Sequence, residues 1–475
     1  MVVFDFHLYD LQKLISWEND LSNYEERSVA ATFVSQLEDL DQRLPNVSNL
    51  LKILSFFDAE RIPMSILIRG AEALSQLLNT SDAPSTQHSP TTQSTPLPTR
   101  AIKSPRQITG SDRKRMDASN VSSIESPALK PLLALIQSPV QLQNTIAQLQ
   151  SRSLIKHSIE LSVLQIHDLI KFMIQESIKK GGTEQKWFDI AVDLTSAAFQ
   201  LVEDPSSHNC WAQCEIFIPH FQLLTLQDEI YGTRKISLVK ANMKIAQYLE
   251  SCGRYSEAET RLDQVLVANK RQLGMENQII LSAMHILAIV YQAQRRHSEA
   301  ETLLVQVLAS NKKLLGLQHL STLSTMHNLA RVYQSQGKYM EAETLLGEVL
   351  AGSKDWLGVE HPDTLATMNN LASVYQSQGF HTKAETLFQQ VLEGRKKQLG
   401  TEHPKTLYTM NNLATLYRQQ GQFREAEALL KKVVAGHKKQ LGMEHPYTLR
   451  TMRNLAIVYK SQGQFSEAEA LLAGN

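Results

Sequence analysis

Four residues near the middle of the chain are of types that bind metals: His208, Cys210, Cys214 and His220 bring nitrogen and sulfur donors into one short stretch. A structural zinc site takes such donors from turns that let them converge tetrahedrally. Here Cys-x3-Cys sits within an apolar, helix-like pattern, so the stretch reads as packing and no metal is expected. Phosphate chemistry would need a glycine-rich turn after an apolar strand, ending in lysine and then serine or threonine. Gly110-Ser-Asp-Arg-Lys114 and Gly181-Gly182-Thr-Glu-Gln-Lys186 lack the second glycine before the lysine and the hydroxyl after it. No cofactor is expected. His361, His403 and His445 recur at a constant step of 42 residues, which places them in equivalent turns and not around one centre. Capping of helices is the reading for them. No nucleophile, base and orienting group can be assembled, so the chain is expected not to be an enzyme and to have no catalytic residues.

The elements behind those histidines are repeats, and a repeat decides the fold before anything else does. Gly274, Gly316, Gly358, Gly400 and Gly442 are each 42 residues apart, as are Tyr291, Tyr333, Tyr375, Tyr417 and Tyr459. Ala258, Ala300, Ala342, Ala384, Ala426 and Ala468 keep the same step, each followed by glutamate. Within one unit, Met368, Leu371, Ala372 and Tyr375 follow the spacing of an apolar helix face, and Gln378-Gly379 breaks it. Ala384, Leu387, Phe388, Val391 and Leu392 then repeat the pattern up to Leu399-Gly400, where glycine suits a left-handed C-terminal conformation. Pro362, Pro404 and Pro446 open the next unit at a position where a missing N–H costs nothing. The unit is helix A, turn, helix B, turn. One hairpin cannot bury both of its faces, so neighbours must stack into a solenoid.

The run Asn-Leu-Ala-x-x-Tyr-x-x-x-Gly, four residues, then Ala, as in Asn370 through Ala384, resembles the tetratricopeptide repeat in its 42-residue, kinesin-light-chain-like form. The resemblance covers residues 237–475, as five full units and a shortened sixth. Departures are local. Leu249 replaces the tyrosine and Asn277-Gln278 replaces His-Pro in the first unit, and Arg295 occupies a glycine slot. The sixth unit stops at Ala473-Gly474-Asn475, about half a helix B, from which fraying or self-association through an uncapped end is expected.

Residues 79–131 shift to Ser, Thr and Pro, a composition expected to form a disordered linker. Its Ser89-Pro90, Thr95-Pro96, Ser104-Pro105 and Ser126-Pro127 dipeptides are candidates for phosphorylation beside a plain linker role. Residues 1–78 and 132–180 flank it. Helix-like stretches at Val29–Leu40 and Leu50–Phe57 lead to Ile62-Pro63, read as a fresh helix start. A helix near Val140–Gln150 precedes Leu154-Ile155-Lys156, a polar turn at His157-Ser158 and the alternating Leu161–Ile166, read together as a β-hairpin. This order suggests a small winged-helix-like region, split by the linker, followed by connecting helices over 181–236. The expected fold class is therefore mainly α: a tetratricopeptide α-solenoid preceded by a winged-helix-like domain with one β-hairpin.

Ser28-Val-Ala-Ala-Thr-Phe33, Leu50-Leu-Lys-Ile-Leu-Ser-Phe-Phe-Asp58 and Ile62-Pro63 resemble the region after the nucleotide-binding (NB-ARC) domain of fungal NOD-like receptors. So do Leu164-Gln-Ile-His167-Asp168-Leu169 and Trp211-Ala-Gln-Cys214 with Pro219-His220. In that family an upstream P-loop domain binds nucleotide, which the histidine matching His167 reaches. Here His167 has no such domain to meet, and it reads as a partly buried residue opening a helix, with Asp168 favoured by the helix dipole.

Beside the core face of each helix A runs a second stripe at i, i+4, i+7 spacing, and its members vary. They are His285, Ile289, Gln292; His327, Arg331, Gln334; Asn369, Ser373, Gln376; Asn411, Thr415, Arg418; and Arg453, Ile457, Lys460. In tetratricopeptide proteins the matching positions line a concave groove that grips extended peptides. The resemblance therefore implies a peptide-binding groove at residues 327–460, with Asn369 and Asn411 on the peptide backbone. Arg331, Arg418 and Arg453 would steer an acidic partner. The repeating pairs Lys270-Arg271, Lys312-Lys313, Lys396-Lys397 and Lys438-Lys439 lie near helix B ends, where they complement the C-terminal partial charge.

Lys+Arg and Asp+Glu are both 48 in 475 residues, which gives no basic surplus for nucleic acid or a membrane surface. Three cysteines are too few for a disulfide framework, and the start lacks a signal-peptide pattern, so a cytoplasmic location is expected. The leading reading is a protein-binding module, the sensor part of a NOD-like-receptor-type protein. The abrupt beginning and shortened last unit suggest a sequence that continues, and an in-frame P-loop domain would make it a nucleotide-regulated switch. One alternative is a kinesin-light-chain-like cargo adaptor, although residues 1–60 carry no sustained heptad. Another is a winged-helix DNA-binding regulator, for which Leu50–Phe57 supplies only Lys52 as a basic residue.

Overall fold

The computed structural model describes residues 24–81, 129–205, 210–232 and 235–472. The chain divides between Gln272 and Leu273 into two compact units. Most of the expected linker, with its Ser-Pro and Thr-Pro dipeptides, lies outside the described residues, as does His208. Among the described residues there are twenty helices and three short strands, a mainly helical protein. None of these helices is long and apolar enough to cross a membrane.

The first unit begins with α1 (Tyr24–Arg43), α2 (Pro45–Leu54), β1 (Ile62–Pro63) and α3 (Met64–Ser81). It continues with α4 (Leu129–Gln137), α5 (Pro139–Ser151), β2 (Lys156–Ser158), β3 (Val163–Gln165) and α6 (Asp168–Lys180). The strands pair antiparallel in the order β1-β3-β2, with Ile62 and His157 on either side of Leu164. Two sequence expectations are corrected here. His157-Ser158 belongs to β2 and not to the turn, because both residues pair with β3; the turn is at 159–162, where Ser162 takes a φ of 51°. Ile62-Pro63 is a strand, with the helix starting at Met64, and proline is tolerated there because β1 lies at the sheet edge. His167 opens α6 as its N-cap, its Nδ1 accepting the Leu169 N–H at 3.2 Å, but it is exposed and not partly buried.

Further along lie α7 (Glu184–Gln200), α8 (Trp211–Tyr231), α9 (Ile236–Ser251) and α10 (Tyr255–Leu273). Phe56, Phe57, Phe188, Phe199 and Phe221 form the aromatic centre of this unit, each at most 1% exposed. Phe56 meets Phe188 edge to face at 5.8 Å, the arrangement ring quadrupoles favour. Gly70 of α3 lies so close to α7 that a Cβ would come within 2.3 Å of the Leu194 carbonyl oxygen. His220 is buried, and its Nδ1 accepts the Asp58 N–H at 3.3 Å, so this histidine serves the join between α8 and the residues before β1. The first helix hairpin, α9 with α10, packs in this unit. Lys235 reaches Asp193 of α7 at 2.6 Å, and Lys244 donates to the Val202 carbonyl at 2.8 Å.

The second unit is a run of hairpins with constant bounds. Its A helices are α11 (Gln278–Ala293), α13 (Leu320–Ser335), α15 (Pro362–Ser377), α17 (Pro404–Gln419) and α19 (Pro446–Ser461). Its B helices are α12 (His297–Leu315), α14 (Tyr339–Leu357), α16 (His381–Leu399), α18 (Phe423–Leu441) and α20 (Phe465–Leu472). The small column is fully enclosed: Ala300, Ala342, Ala384, Ala426 and Ala468 are all 0% exposed, which explains why nothing larger stands there. His319, His361, His403 and His445 are the N-caps of their A helices, each Nδ1 accepting the N–H two residues on at 3.1–3.2 Å. The glutamate after each alanine has a role that its periodicity did not disclose. Glu301, Glu343 and Glu385 accept from Gln336, Gln378 and Gln420, the residues ending the next A helix.

Each A–B turn needs a residue in the left-handed region. Gly337, Gly379, Gly421 and Gly463 hold φ at 78–84°, and Arg295 is forced to 64° in the same slot. A side chain there costs roughly 1–2 kcal/mol, against about 0.5–1 kcal/mol for the extra freedom of an unfolded glycine. Arg295→Gly is therefore expected to raise stability by about 0.5–1 kcal/mol, read as a higher urea midpoint at unchanged slope.

Candidate partner-binding face

In the second unit, neighbouring A helices touch one another, while the main neighbours of each B helix are the A helices on either side. The A helices thus line the inner side of this unit's curve, and the variable stripe expected to bind a peptide lies along them. Its first column, however, is joined to the next repeat. His285 Nε2 lies 2.7 Å from Asn328 Nδ2, His327 Nε2 lies 2.6 Å from Asn370 Nδ2, and Asn411 Oδ1 accepts from Asn454 Nδ2 at 3.2 Å. Asn369 is only 1% exposed. The acceptor of Asn411 is thus engaged by the following hairpin, whereas Asn369 is enclosed with its Oδ1 unbonded.

The two histidines are neutral rungs. An amide nitrogen only donates, so the ring nitrogens facing Asn328 and Asn370 must accept. The His285 proton then sits on Nδ1, which reaches Thr325 Oγ1 at 3.3 Å. Burial lowers the pKa of both rings to about 4, with Arg331 adding to the effect at His327. His327 is accordingly a structural joint more than a ligand contact.

The rest of the stripe divides by what its side chains already do. Ser373 and Thr415 hydroxyls donate back to the Asn369 and Asn411 carbonyls at 3.1 and 2.9 Å, and Gln376 donates to Gln419 at 2.7 Å. Gln334 and Arg418 are half-buried, whereas Arg331, Arg453 and Lys460 are exposed. No carboxylate of the described residues lies within 4.0 Å of Arg331, Arg418, Arg453 or Lys460. The lysines at the B-helix ends differ: Lys313, Lys397 and Lys439 pair with Glu276, Glu360 and Glu402 across the turn at 2.6–2.8 Å.

The tetratricopeptide-repeat family model matches residues 237–313, 279–355, 321–379 and 363–439, and a second model of the same repeat matches 448–474. The chain belongs to the tetratricopeptide-repeat family. Its repeats are similar to the nearly identical TPR-like repeats of a putative kinesin light chain from Podosopora anserina, at 41% identity over 41% of this chain and 92% of that one, with a TM-score of 0.36. BtubC (BKLC) from P. vanneervenii is 21% identical over 46% of this chain and 86% of that one, with a TM-score of 0.37. NprR, solved in complex with its cognate peptide NprX, is 16% identical over 56% of this chain and 77% of that one, with a TM-score of 0.41. Among curated proteins none matches. A tetratricopeptide chain of this kind is a protein-interaction scaffold.

Proposed function

We propose that the second unit binds an extended acidic segment of a partner protein along its A helices. The observation that carries this is that Arg331, Arg418, Arg453 and Lys460 lie along one face and meet no carboxylate among the described residues, whereas Lys313, Lys397 and Lys439 at B-helix ends are each matched by a glutamate. Unmatched cations on one face favour encounter with an anionic partner and set its register. The probe is a fluorescent ten-residue peptide of alternating glutamate and leucine, titrated into the full chain. Binding should weaken steeply with salt, and Arg331→Glu with Arg418→Glu should weaken it by about tenfold or more, the size expected for losing charge-assisted contacts. Asn369→Ala should leave it nearly unchanged. Equal affinity for the double variant, or indifference to salt, would remove the assignment.

The N-terminal unit supports a finer reading, a winged-helix-type module of a NOD-like-receptor-type sensor. Two helices run into a hairpin whose inner strand also pairs with the residues before α3, the element order of a winged helix. On this reading the repeats recognise the partner and the first unit relays its arrival.

A further inference from the structure

We infer that the turn between α16 and α17 is a second and separate binding site, built around Arg395 for the phosphate group of a phosphate monoester. The repeats themselves show what is unusual there. In the column of Arg395 stand Asn311, Ser353 and His437, and two of these do one structural task. Asn311 Nδ2 donates to Thr325 Oγ1 at 3.3 Å, and His437 Nδ1 lies 3.1 Å from Thr451 Oγ1. Arg395 does the same through Nη1, which donates to Thr409 Oγ1 at 2.7 Å and to the Lys405 carbonyl at 2.9 Å. That task needs no arginine. The longer side chain, only 6% exposed, adds a permanent charge and a surplus of donors.

The chain leaves that surplus unused. A guanidinium carries five N–H groups, and the two on Nη1 are engaged. Nε and Nη2 make no hydrogen bond to the described residues, and neither is sealed from solvent. No carboxylate of the described residues lies within 4.0 Å of Arg395, and Glu402, in the same turn, is held by Lys439 at 2.7 Å. Burial lowers the Arg395 pKa, with Tyr408 close enough to act against it. A desolvated cation with no counter-ion of its own favours one from outside. The Nε–Nη2 edge offers parallel donors that match two oxygens of one oxyanion.

The neighbours specify the anion. Lys405, Tyr408 and Thr409 share one face of α17, so the side chains of Lys405 and Tyr408 stand beside the guanidinium that Thr409 holds. Lys405 is exposed and has no carboxylate of the described residues within 4.0 Å; Tyr408 is 48% exposed. His403 Nδ1 accepts the Lys405 N–H at 3.1 Å, so the neutral ring carries its proton on Nε2, a further donor at the same turn. Desolvation, then Lys405 and Arg395, lower the pKa of this ring and keep it neutral. A carboxylate brings two oxygens in one plane. A phosphate monoester brings three oxygens and a charge of about −1.5 to −2, which suits a fork, an ammonium and two more donors set around it.

The test uses the full chain and a fluorescent, alanine-rich nine-residue peptide with a central phosphoserine. The same peptide with serine or glutamate at its centre should bind about tenfold or more weakly, since each lacks charge-assisted contacts. Arg395→His, which copies His437 of the following unit and keeps a partner for Thr409, should weaken phosphopeptide binding by about tenfold or more at an unchanged melting temperature. If that variant does not fold, Lys405→Glu at the surface takes its place with the same expected loss. Arg331→Glu with Arg418→Glu should change binding by less than about twofold. Arg418 lies roughly 20 Å along α17 from Lys405, about two screening lengths in 0.1 M salt, which separates this site from the acidic-peptide face. Inorganic phosphate, followed by phosphorus NMR, distinguishes the source: affinity equal to the peptide's marks a site for small phosphates, and clearly weaker binding marks a protein-borne group. Equal phosphopeptide binding by Arg395→His, or equal binding of the serine or glutamate peptide, overturns the inference.

Discussion

Alanine in place of Gly70 is expected to destabilise the first unit by about 3 kcal/mol or more, the upper end of what overpacking a core costs. The added methyl would meet the Leu194 carbonyl oxygen at 2.3 Å and its carbonyl carbon at 3.0 Å, so backbone, not a mobile side-chain tip, has to give way. Because α3 and α7 are stiff, the relief available is a shift of whole helices. The unit's melting temperature should fall by roughly 6–12 °C on the usual scaling for a domain of this size. Gly347 is the internal comparison. It lies within α14, and no atom stands within 4 Å of the place its methyl would take, so Gly347→Ala should stabilise through helix propensity alone. The expected gain is about 0.5–1 kcal/mol. Calorimetry of the two variants should move in opposite directions. A Gly70→Ala protein that melts with the parent would mean that α3 and α7 are not in contact as described.

Acidification from pH 7 to pH 5 should destabilise the second unit by about 2 kcal/mol for each of His285 and His327. Both rings titrate near 4 when folded because burial disfavours the charged form, against an ordinary value of 6.5. A base with a depressed folded pKa stabilises the fold fully above its unfolded pKa. That contribution is lost as the pH falls from about 6.5 towards 4, where the unfolded chain takes up protons that the folded chain refuses. Protonation would also turn the nitrogens facing Asn328 and Asn370 from acceptors into donors, setting donor against donor across each rung. The repeats offer their own replacement, since Asn369 and Asn411 occupy the same column. His285→Asn with His327→Asn should keep an acceptor and remove about 4 kcal/mol of the pH dependence, measured as urea stability at the two pH values. A double variant with the parent's pH slope would show that neither ring resists protonation.

The solenoid was legible because its core columns obey one period, and a small residue such as Ala384 is enclosed in every copy. The candidate site was legible only in part. The first stripe column varies between histidine, asparagine and arginine, and variation is what a tailored surface displays. The same polar types also suit a joint between neighbours, and whether His327 meets a ligand or Asn370 depends on a contact 43 residues away. Sequence spacing along one helix does not report that distance. Arg331, Arg418, Arg453 and Lys460 survive as outward-facing candidates because no glutamate of the described residues stands opposite them. In the first unit, the hairpin was readable from alternation, but its turn was not, since His157-Ser158 is polar yet paired.

The bonds that fasten one hairpin to the next recur at a few set intervals: 14 residues for Asn311 to Thr325, 35 for Glu301 to Gln336 and 43 for His285 to Asn328. A gene that duplicates or deletes one whole unit therefore presents most fasteners with an equivalent counterpart, and the array changes length without a new interface being invented. Its reading surface lengthens or shortens by one position at a time, like links in a watch strap. Such arrays can follow a partner that changes over generations faster than a single globular pocket can be reshaped.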